Sequence, residues 1–223
     1  SWPTTLATVL EGFRMALGLP VGSNLTAELH SLLIYRTGQF FLPHQDSEKT
    51  DDMIATLVIS LPSIHTGGAL VIDDGGYERT YRGARDELRL VAFYADRRHE
   101  VKPVRSGHRV TLTFNLSLTK SGGHPAPNAD VFEAADYLKE HFSTRVTARY
   151  SAKDLGEPTR LVFLLDHEYT KRGLAGGKLK GADAERVAIL RAAAEHAGCE
   201  SVLALSEIRE IWDTEPEYDE WRR

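Results

Sequence analysis

The sequence predicts a mainly β protein with flanking helices, an α+β chain built on a sandwich or barrel-like core. Three observations carry this. Four apolar, β-branched runs of strand length crowd into residues 29–118. Gly and Pro turn signals punctuate them, and helical spacing of apolar residues is confined to an opening stretch and to the chain beyond residue 129.

Taken in order, residues 4–18 place apolar side chains at helical spacing and stop at Gly18-Leu19-Pro20, a helix with a Gly/Pro terminator. LHSLLIYR (29–36) reads as a strand before a turn at Thr37-Gly38. MIATLVISL (53–61) is a strand closed by Pro62, since proline cannot donate to a ladder. Gly67-Gly68 turns the chain into a short strand, ALVID, and Asp74-Gly75-Gly76 turns it out again. ELRLVAFYA (87–95) and RVTLTFNLSL (109–118) complete the set. KSGGHPAPNA (120–129) is a polar Gly/Pro linker. Beyond it, 130–142 and 183–197 read as amphipathic helices opened by Asp, while TRLVFLLDHEY and SVLALSEIREIW read as strands. The expected organisation is a core over residues 1–119, a linker over 120–129, and a C-terminal α/β extension over 130–223 packed on the core.

The 223 residues, 42% hydrophobic and 26% charged, suffice for a self-supporting core without staples. A net charge of −5 argues against general attraction to nucleic acid or anionic membrane, leaving a local basic patch at Arg97, Arg98, Lys102 and Arg105. One cysteine, Cys199, excludes an intrachain disulfide and a Cys-based zinc cluster, and reads as a partly buried structural thiol. No apolar run approaches the roughly 20 residues that span a bilayer, and no signal peptide is recognisable. A cytoplasmic location is the expectation. The chain begins at Ser1 rather than Met, as expected of an excised part of a longer protein.

The chemistry-bearing pattern starts at Pro43-His44-Gln45-Asp46. On a strand, residues two apart share a face, so His44 and Asp46 can converge on one metal ion. Imidazole with carboxylate suits Fe(II) and its neighbours. His99, after a strong strand pattern, would add a third ligand. Two His and one carboxylate cover one face of an octahedron and leave the other positions open. Arg109 lies ten positions on, and alternation puts Arg109, Thr111 and Thr113 on one strand face against Val110, Leu112 and Phe114 on the other. An arginine inside such a strand is costly without an anionic partner, and its guanidinium fork matches a carboxylate.

LLIYRTGQFFLPHQD, TLVISLP, Gly67-Gly68 and HEVKPVRSGHRVTLTFNL together resemble the prolyl 4-hydroxylase-like branch of the Fe(II)/2-oxoglutarate oxygenases, over roughly residues 25–118. The resemblance implies a double-stranded β-helix (jelly-roll) fold with iron held by His44, Asp46 and His99. It implies a 2-oxoglutarate anchor at Arg109, where collagen-type members carry Lys and oxygen-sensing types Arg. It makes Tyr35 a hydrogen-bond donor to 2-oxoglutarate and Thr113 a weaker candidate for the same carboxylate. The implied reaction consumes O2 and 2-oxoglutarate, releases succinate and CO2, and hydroxylates an unactivated C–H bond, with ascorbate as reductant. Neutral ligating histidines would weaken metal binding in acid. After residue 120 the likeness to collagen-type enzymes ends; LVFLLDHEYT and LKGADAERVAIL look like a less characterised group of microbial and fungal oxygenase-domain proteins.

Other residues read more plainly. Asp73, Asp74 and Glu78 form a solvated acidic turn, and Arg97 and Arg98 are solvated neighbours of His99. Asp166-His167-Glu168 lacks a further ligand in pattern and reads as a structural hydrogen-bonding cluster. His30, His65, His108, His124, His141 and His196 have no distinguishing spacing. Trp2, Trp212 and Trp221 read as packing residues rather than base-stacking ones. The substrate expected is a protein or peptide side chain, first of all prolyl, with a free amino acid or small metabolite as the alternative. A degenerate fold kept as a binding module would have lost a ligand or the anchor, and all four positions are filled.

Overall fold

The computed structural model describes residues 2–20, 22–47, 49–50, 52–120, 128–147, 153–175, 179–207 and 209. The elements run α1 (Trp2–Ala16), β1 (Asn24–Arg36), β2 (Phe41–His44), β3 (Met53–Ser60), β4 (His65–Gly67), β5 (Leu70–Asp73) and β6 (Glu78–Tyr81). They continue with β7 (Arg89–Tyr94), β8 (His99–Val101), β9 (Val104–Lys120), α2 (Ala129–Ser143), β10 (Val146–Thr147), β11 (Asp154–Gly156), α3 (Lys171–Ala175) and α4 (Gly181–Ala197).

Two antiparallel sheets form the core. The larger follows the order β1-β9-β3-β7, with β4 pairing the start of β9; the smaller follows β2-β8-β5-β6. Strand alternation decides what lies on each side. Ala55, Leu57 and Ile59 of β3, with Leu112, Phe114, Leu116 and Leu118 of β9, point away from the smaller sheet. Against them α1 lays Leu6, Leu10 and Phe13, a stripe at i, i+4 and i+7, with Leu17 just past its end. The opposite face of β3 and β7 sends Val58 and Phe93 onto Leu70, Ile72 and Val101 of the smaller sheet. Because β3 is covered on both faces, all eight of its residues are buried, which is why MIATLVIS is continuously apolar apart from Thr56 and Ser60. The result is the double-stranded β-helix with flanking helices that the sequence led one to expect.

The helix stop at Gly18 is built as read. Gly18 takes φ 67, and the Arg14 guanidinium closes the end by donating to the carbonyls of Leu19 and Pro20 at 2.9 and 3.1 Å. The turn at Asp74–Gly76 joins β5 to β6, with Gly75 and Gly76 both at positive φ. Asp74 there is not simply solvated: it pairs with Arg79 at 3.2 Å and approaches Arg97 at 3.6 Å.

Several readings need correction. β2, β4, β6 and β8 are three or four residues long, too short to register as periodic runs, and the sequence did not reveal them. TRLVFLLDHEY is not a strand: residues 159–169 form no ladder, and Leu161, Val162, Phe163 and Leu164 are exposed. SVLALSEIREIW fails likewise over residues 201–207; its residues 208 and 210–212 lie outside the described set. β-Branched composition favours a strand only where a neighbouring edge supplies the hydrogen bonds, and neither run meets one among the described residues. Residues 121–127 of the linker, His124, Trp212 and Trp221, and the Trp2 side chain also lie outside the described set.

The two long C-terminal helices are present, but Asp does not cap either. Asn128 caps α2 by accepting from the Val131 N–H, and α4 starts after Lys180 with no side-chain cap. Ala135 and Leu138 of α2 pack on Ala193 and Ala194 of α4, with Cys199 partly buried beside them.

Candidate metal and co-substrate site

The core positions the site through strand register. His44, last residue of β2, pairs directly with His99, first residue of β8. Directly paired antiparallel residues bring their side chains together, and the two imidazole centroids are 4.3 Å apart. Asp46 lies just past the end of β2, so strand alternation alone does not aim it. Its N–H donates to the Ala95 carbonyl at 3.1 Å, tying it to the turn that follows β7. The His44 and His99 Nε2 atoms stand 3.7 and 3.8 Å from Asp46 Oδ1. Two ligand bonds of roughly 2.2 Å span up to about 4.4 Å, so both distances lie within reach of one ion. Among the described residues this is the one group of three or more such side chains with all ligand atoms within 4.8 Å of one another.

Hydrogen bonds at the far side of each ligand set its chemistry. His44 Nδ1 lies 2.8 Å from the Leu42 carbonyl, and His99 Nδ1 lies 3.0 Å from the Arg97 carbonyl. A carbonyl only accepts, so each Nδ1 carries the proton and each Nε2 keeps its lone pair for the shared point. Burial holds the His99 imidazole below its usual pKa, against the opposing pull of the Arg97 carbonyl and Asp46, and so favours the neutral form that can ligate. Asp46 Oδ2 accepts from the Thr56 hydroxyl at 2.6 Å, leaving Oδ1 for the histidines. Thr56 was not singled out from the sequence. The available signal was a buried hydroxyl on the inward face of an otherwise aliphatic strand. Phe41 against His44 and Phe93 against His99 wall the rings at 4.2 and 4.6 Å.

On β9, alternation turns Arg109, Thr111 and Thr113 inward to line the same cavity as the triad, about 640 Å³ in volume. Arg109 is 2% exposed, and its Nε is buried without a hydrogen-bond partner. Burial lowers its pKa, with Tyr35 opposing. The guanidinium sits over the Tyr35 ring at 5.3 Å, and the two residues are register partners across β1 and β9. Tyr35 also lines the cavity; burial raises its pKa, so its hydroxyl stays protonated and able to donate. Thr113 lines the wall too, yet its hydroxyl already meets the Ser31 hydroxyl at 2.6 Å. Thr111, on the same face and nearer Arg109 in sequence, is buried and was missed as a candidate.

Glycines make room for the arginine. Gly68 takes φ 65, and a Cβ there would stand 2.9 Å from Arg109 Cδ and from Val104 Cγ2. Gly67 lies so close to the Pro103 carbonyl that a Cβ would approach it to 2.3 Å. Gly68 is therefore a packing requirement of the arginine stem, and Gly67 one of the neighbouring backbone at Pro103, and the pair is also a turn.

A buried guanidinium lacking an anionic partner is costly, and an anion entering the cavity would offset that cost. Three convergent ligand atoms and one such cation in a single cavity fit a divalent metal beside a carboxylate-bearing co-substrate. Of the basic residues near His99, Lys102 bonds Glu100 at 2.6 Å and Arg97 faces Asp74. His65 sits by Ser63, with Nδ1 3.1 Å from its carbonyl, outside the triad.

The chain is similar to one protein family and to several solved structures. Residues 30–117 match the 2OG-Fe(II) oxygenase superfamily. No curated protein matches the chain. Among solved structures, the chain is similar to a 2OG-Fe(II) oxygenase family oxidoreductase from Burkholderia pseudomallei. That pair is 22% identical over 45% of this chain and 47% of the other, with a TM-score of 0.36. A prolyl-4-hydroxylase from Pseudomonas putida is 24% identical over 52% of this chain and 65% of its own, with a TM-score of 0.37. A viral collagen prolyl hydroxylase from Paramecium Bursaria Chlorella virus-1, solved with 2OG, is 16% identical over 50% and 70%, with a TM-score of 0.35. The match thus spans between about half and about two thirds of the first two structures.

Proposed function

We propose, on the premise that residues 30–117 form a 2OG-Fe(II) oxygenase domain, that the protein is an Fe(II)- and 2-oxoglutarate-dependent dioxygenase. In this reading it hydroxylates a C–H bond of a protein or peptide side chain, prolyl in the first instance. The observation that carries the reading is the buried Arg109, its Nε without a hydrogen-bond partner, in the same cavity as the His44–Asp46–His99 cluster.

His44, Asp46 and His99 would hold the iron, and Arg109 with Tyr35 would hold the distal carboxylate of 2-oxoglutarate, with Thr113 a lesser contributor. When bound, iron and 2-oxoglutarate supply the activation of O2, which ends in succinate, CO2 and a hydroxylated product. The protein's part is orientation. Carbonyl-bound Nδ1 protons aim both Nε2 atoms, Thr56 fixes the carboxylate, and the Arg109 fork sets the co-substrate's direction. The aromatic walls and the buried inward faces of β3 and β9 limit water around the reacting centre.

Exposed Phe40, Phe41, Leu33 and Ile34 line the cavity. Such an apolar rim supports a substrate larger than the cavity itself. The test is succinate release from 2-oxoglutarate with Fe(II) and ascorbate, over proline-rich peptides and free amino acids, for the parent and His99→Ala. Peptide-stimulated turnover lost in the variant is the expected result. Stimulation by free amino acids alone would favour the small-metabolite reading. Failure of the parent to bind Fe(II) or Mn(II) would leave a binding module.

A further inference from the structure

A second buried polar cluster lies outside the cavity, where the C-terminal part meets the end of β7. Asp96 and His167 each keep 7% of their side chains exposed, Lys180 2% and Asp183 none. The Asp96 carboxylate accepts from the Glu168 N–H at 3.0 Å and meets His167 Nδ1 at 3.1 Å. The Lys180 ammonium stands 3.6 Å from the same carboxylate and donates to the Glu168 carbonyl at 2.8 Å. Asp183, on the first turn of α4, accepts from the N–H groups of Asp166 and His167 at 3.0 and 3.1 Å and from the Tyr169 hydroxyl at 2.9 Å. Gly181 approaches so closely that a Cβ there would lie 3.2 Å from the Tyr94 hydroxyl and 3.3 Å from His167 Nε2.

Every strong bond to the Asp96 side chain thus comes from residues 167–180, while its backbone belongs to the turn that aims the triad. The Asp96 carbonyl accepts from Gln45 Nε2 at 2.7 Å, between His44 and Asp46. The neighbouring Ala95 carbonyl holds the Asp46 N–H, and the Arg97 carbonyl holds His99 Nδ1. Three consecutive carbonyls therefore hold Asp46, His99 and Gln45, the residue between His44 and Asp46, and the one carboxylate among the three residues that supply them is clamped from the C-terminal side. A segment that only buttressed the fold could have docked anywhere on the core; this one docks on the turn connecting the ligands.

We infer that the cluster of His167, Glu168, Lys180 and Asp183 is a working part of the metal site, with Asp96 as the positioning residue that transmits its hold to Asp46 and His99. The inference rests on the reading of His44, Asp46 and His99 as metal ligands. Outer hydrogen-bonding partners of metal ligands commonly carry 10–100-fold in affinity. Loosening Asp96 should do the same at one bond's remove, at the lower end of that range.

The test is Mn(II) affinity and the Co(II) absorption spectrum of the full chain, measured well below the melting temperature of each variant. Asp96→Asn and His167→Ala should weaken Mn(II) binding about tenfold and shift the Co(II) bands. His167→Asn, whose amide can stand in for the Nδ1 donor, should restore both; it also decides the matter if Asp96→Asn does not fold. Leu138→Ala, in the α2–α4 packing, should lower thermal stability and leave metal affinity and spectrum unchanged. Folded Asp96→Asn or His167→Ala protein with parental affinity and spectrum would overturn the inference. A parent that binds neither Mn(II) nor Co(II) would instead overturn the metal reading beneath it.

Discussion

Arg109 shows how much one residue can ask of its surroundings. Its stem passes Gly68, its ring neighbour is Tyr35, and its Nε has no partner. Removing the charge with Arg109→Met should therefore cost little in folding, because an unpaired buried cation is removed. It should weaken 2-oxoglutarate binding by roughly 2–3 kcal/mol, the scale of charged hydrogen bonds, while Mn(II) affinity holds. Calorimetric titration with each in turn separates the two. Thr56 acts on the other side of the cavity. Thr56→Val keeps the shape and deletes the donor to Asp46 Oδ2, leaving that oxygen free to turn. Mn(II) affinity should fall about 10-fold or more, with a melting temperature close to parental. An unchanged affinity would mean that Asp46 is aimed by its backbone alone. Arg109 and the triad were legible in sequence because charge and metal-binding side chains are conspicuous there. Thr56 was not, because a threonine in a strand is ordinary until its partner is known.

At the scale of elements, the Gly67-Gly68 turn and β9 work together. Gly68→Ala forces a side chain into the left-handed region and against Arg109 Cδ and Val104. The expected loss is about 1–3 kcal/mol of stability, with weaker 2-oxoglutarate binding because the arginine must shift. Circular dichroism melts and co-substrate titration would read the two effects; a variant matching the parent in both would refute the packing role. Strand β3 carries the core between its two neighbours, and Leu57, fully buried under α1, should cost about 2–5 kcal/mol on replacement by alanine. The alternation of β9 was visible in RVTLTFNL, because period two is a local property. The pairing of β2 with β8 was not, because two short strands far apart in sequence leave no periodic trace. That pairing places His44 opposite His99.

Across the whole molecule, the Asp96 cluster joins the two-sheet core to the chain beyond residue 129. Burial alone would raise the Asp96 carboxyl, but the His167 hydrogen bond, the Lys180 charge and the Glu168 N–H outweigh it and hold it at about 2 instead of 3.8. A carboxyl lowered on folding stabilises the folded state above its unfolded value, and that contribution is lost as pH falls from about 4 towards 2. Its size is about 2 kcal/mol. The hold of His167, Glu168 and Lys180 on Asp96 should therefore weaken through that acid window, seen as earlier proteolytic cleavage near residue 170. Asp96→Asn should cleave more readily at neutral pH and change less on acidification. No helix among the described residues is long and apolar enough to cross a membrane.

The sequence by itself determined the periodic and the chemical: which runs become long strands and helices, and which His, Asp and Arg could meet at one point. Those follow from nearest-neighbour spacing and from side chains whose burial demands a partner. It misjudged LVFLL and SVLAL, whose apolar composition satisfies the local rule but finds no edge to pair with among the described residues. The tertiary structure alone decided what spacing cannot encode. It set the His44–His99 register, the Thr56 hold on Asp46, and the seating of Asp166-His167-Glu168 on the turn between the ligands. Each of these joins residues between 10 and 72 positions apart, and only the packed fold brings such residues together.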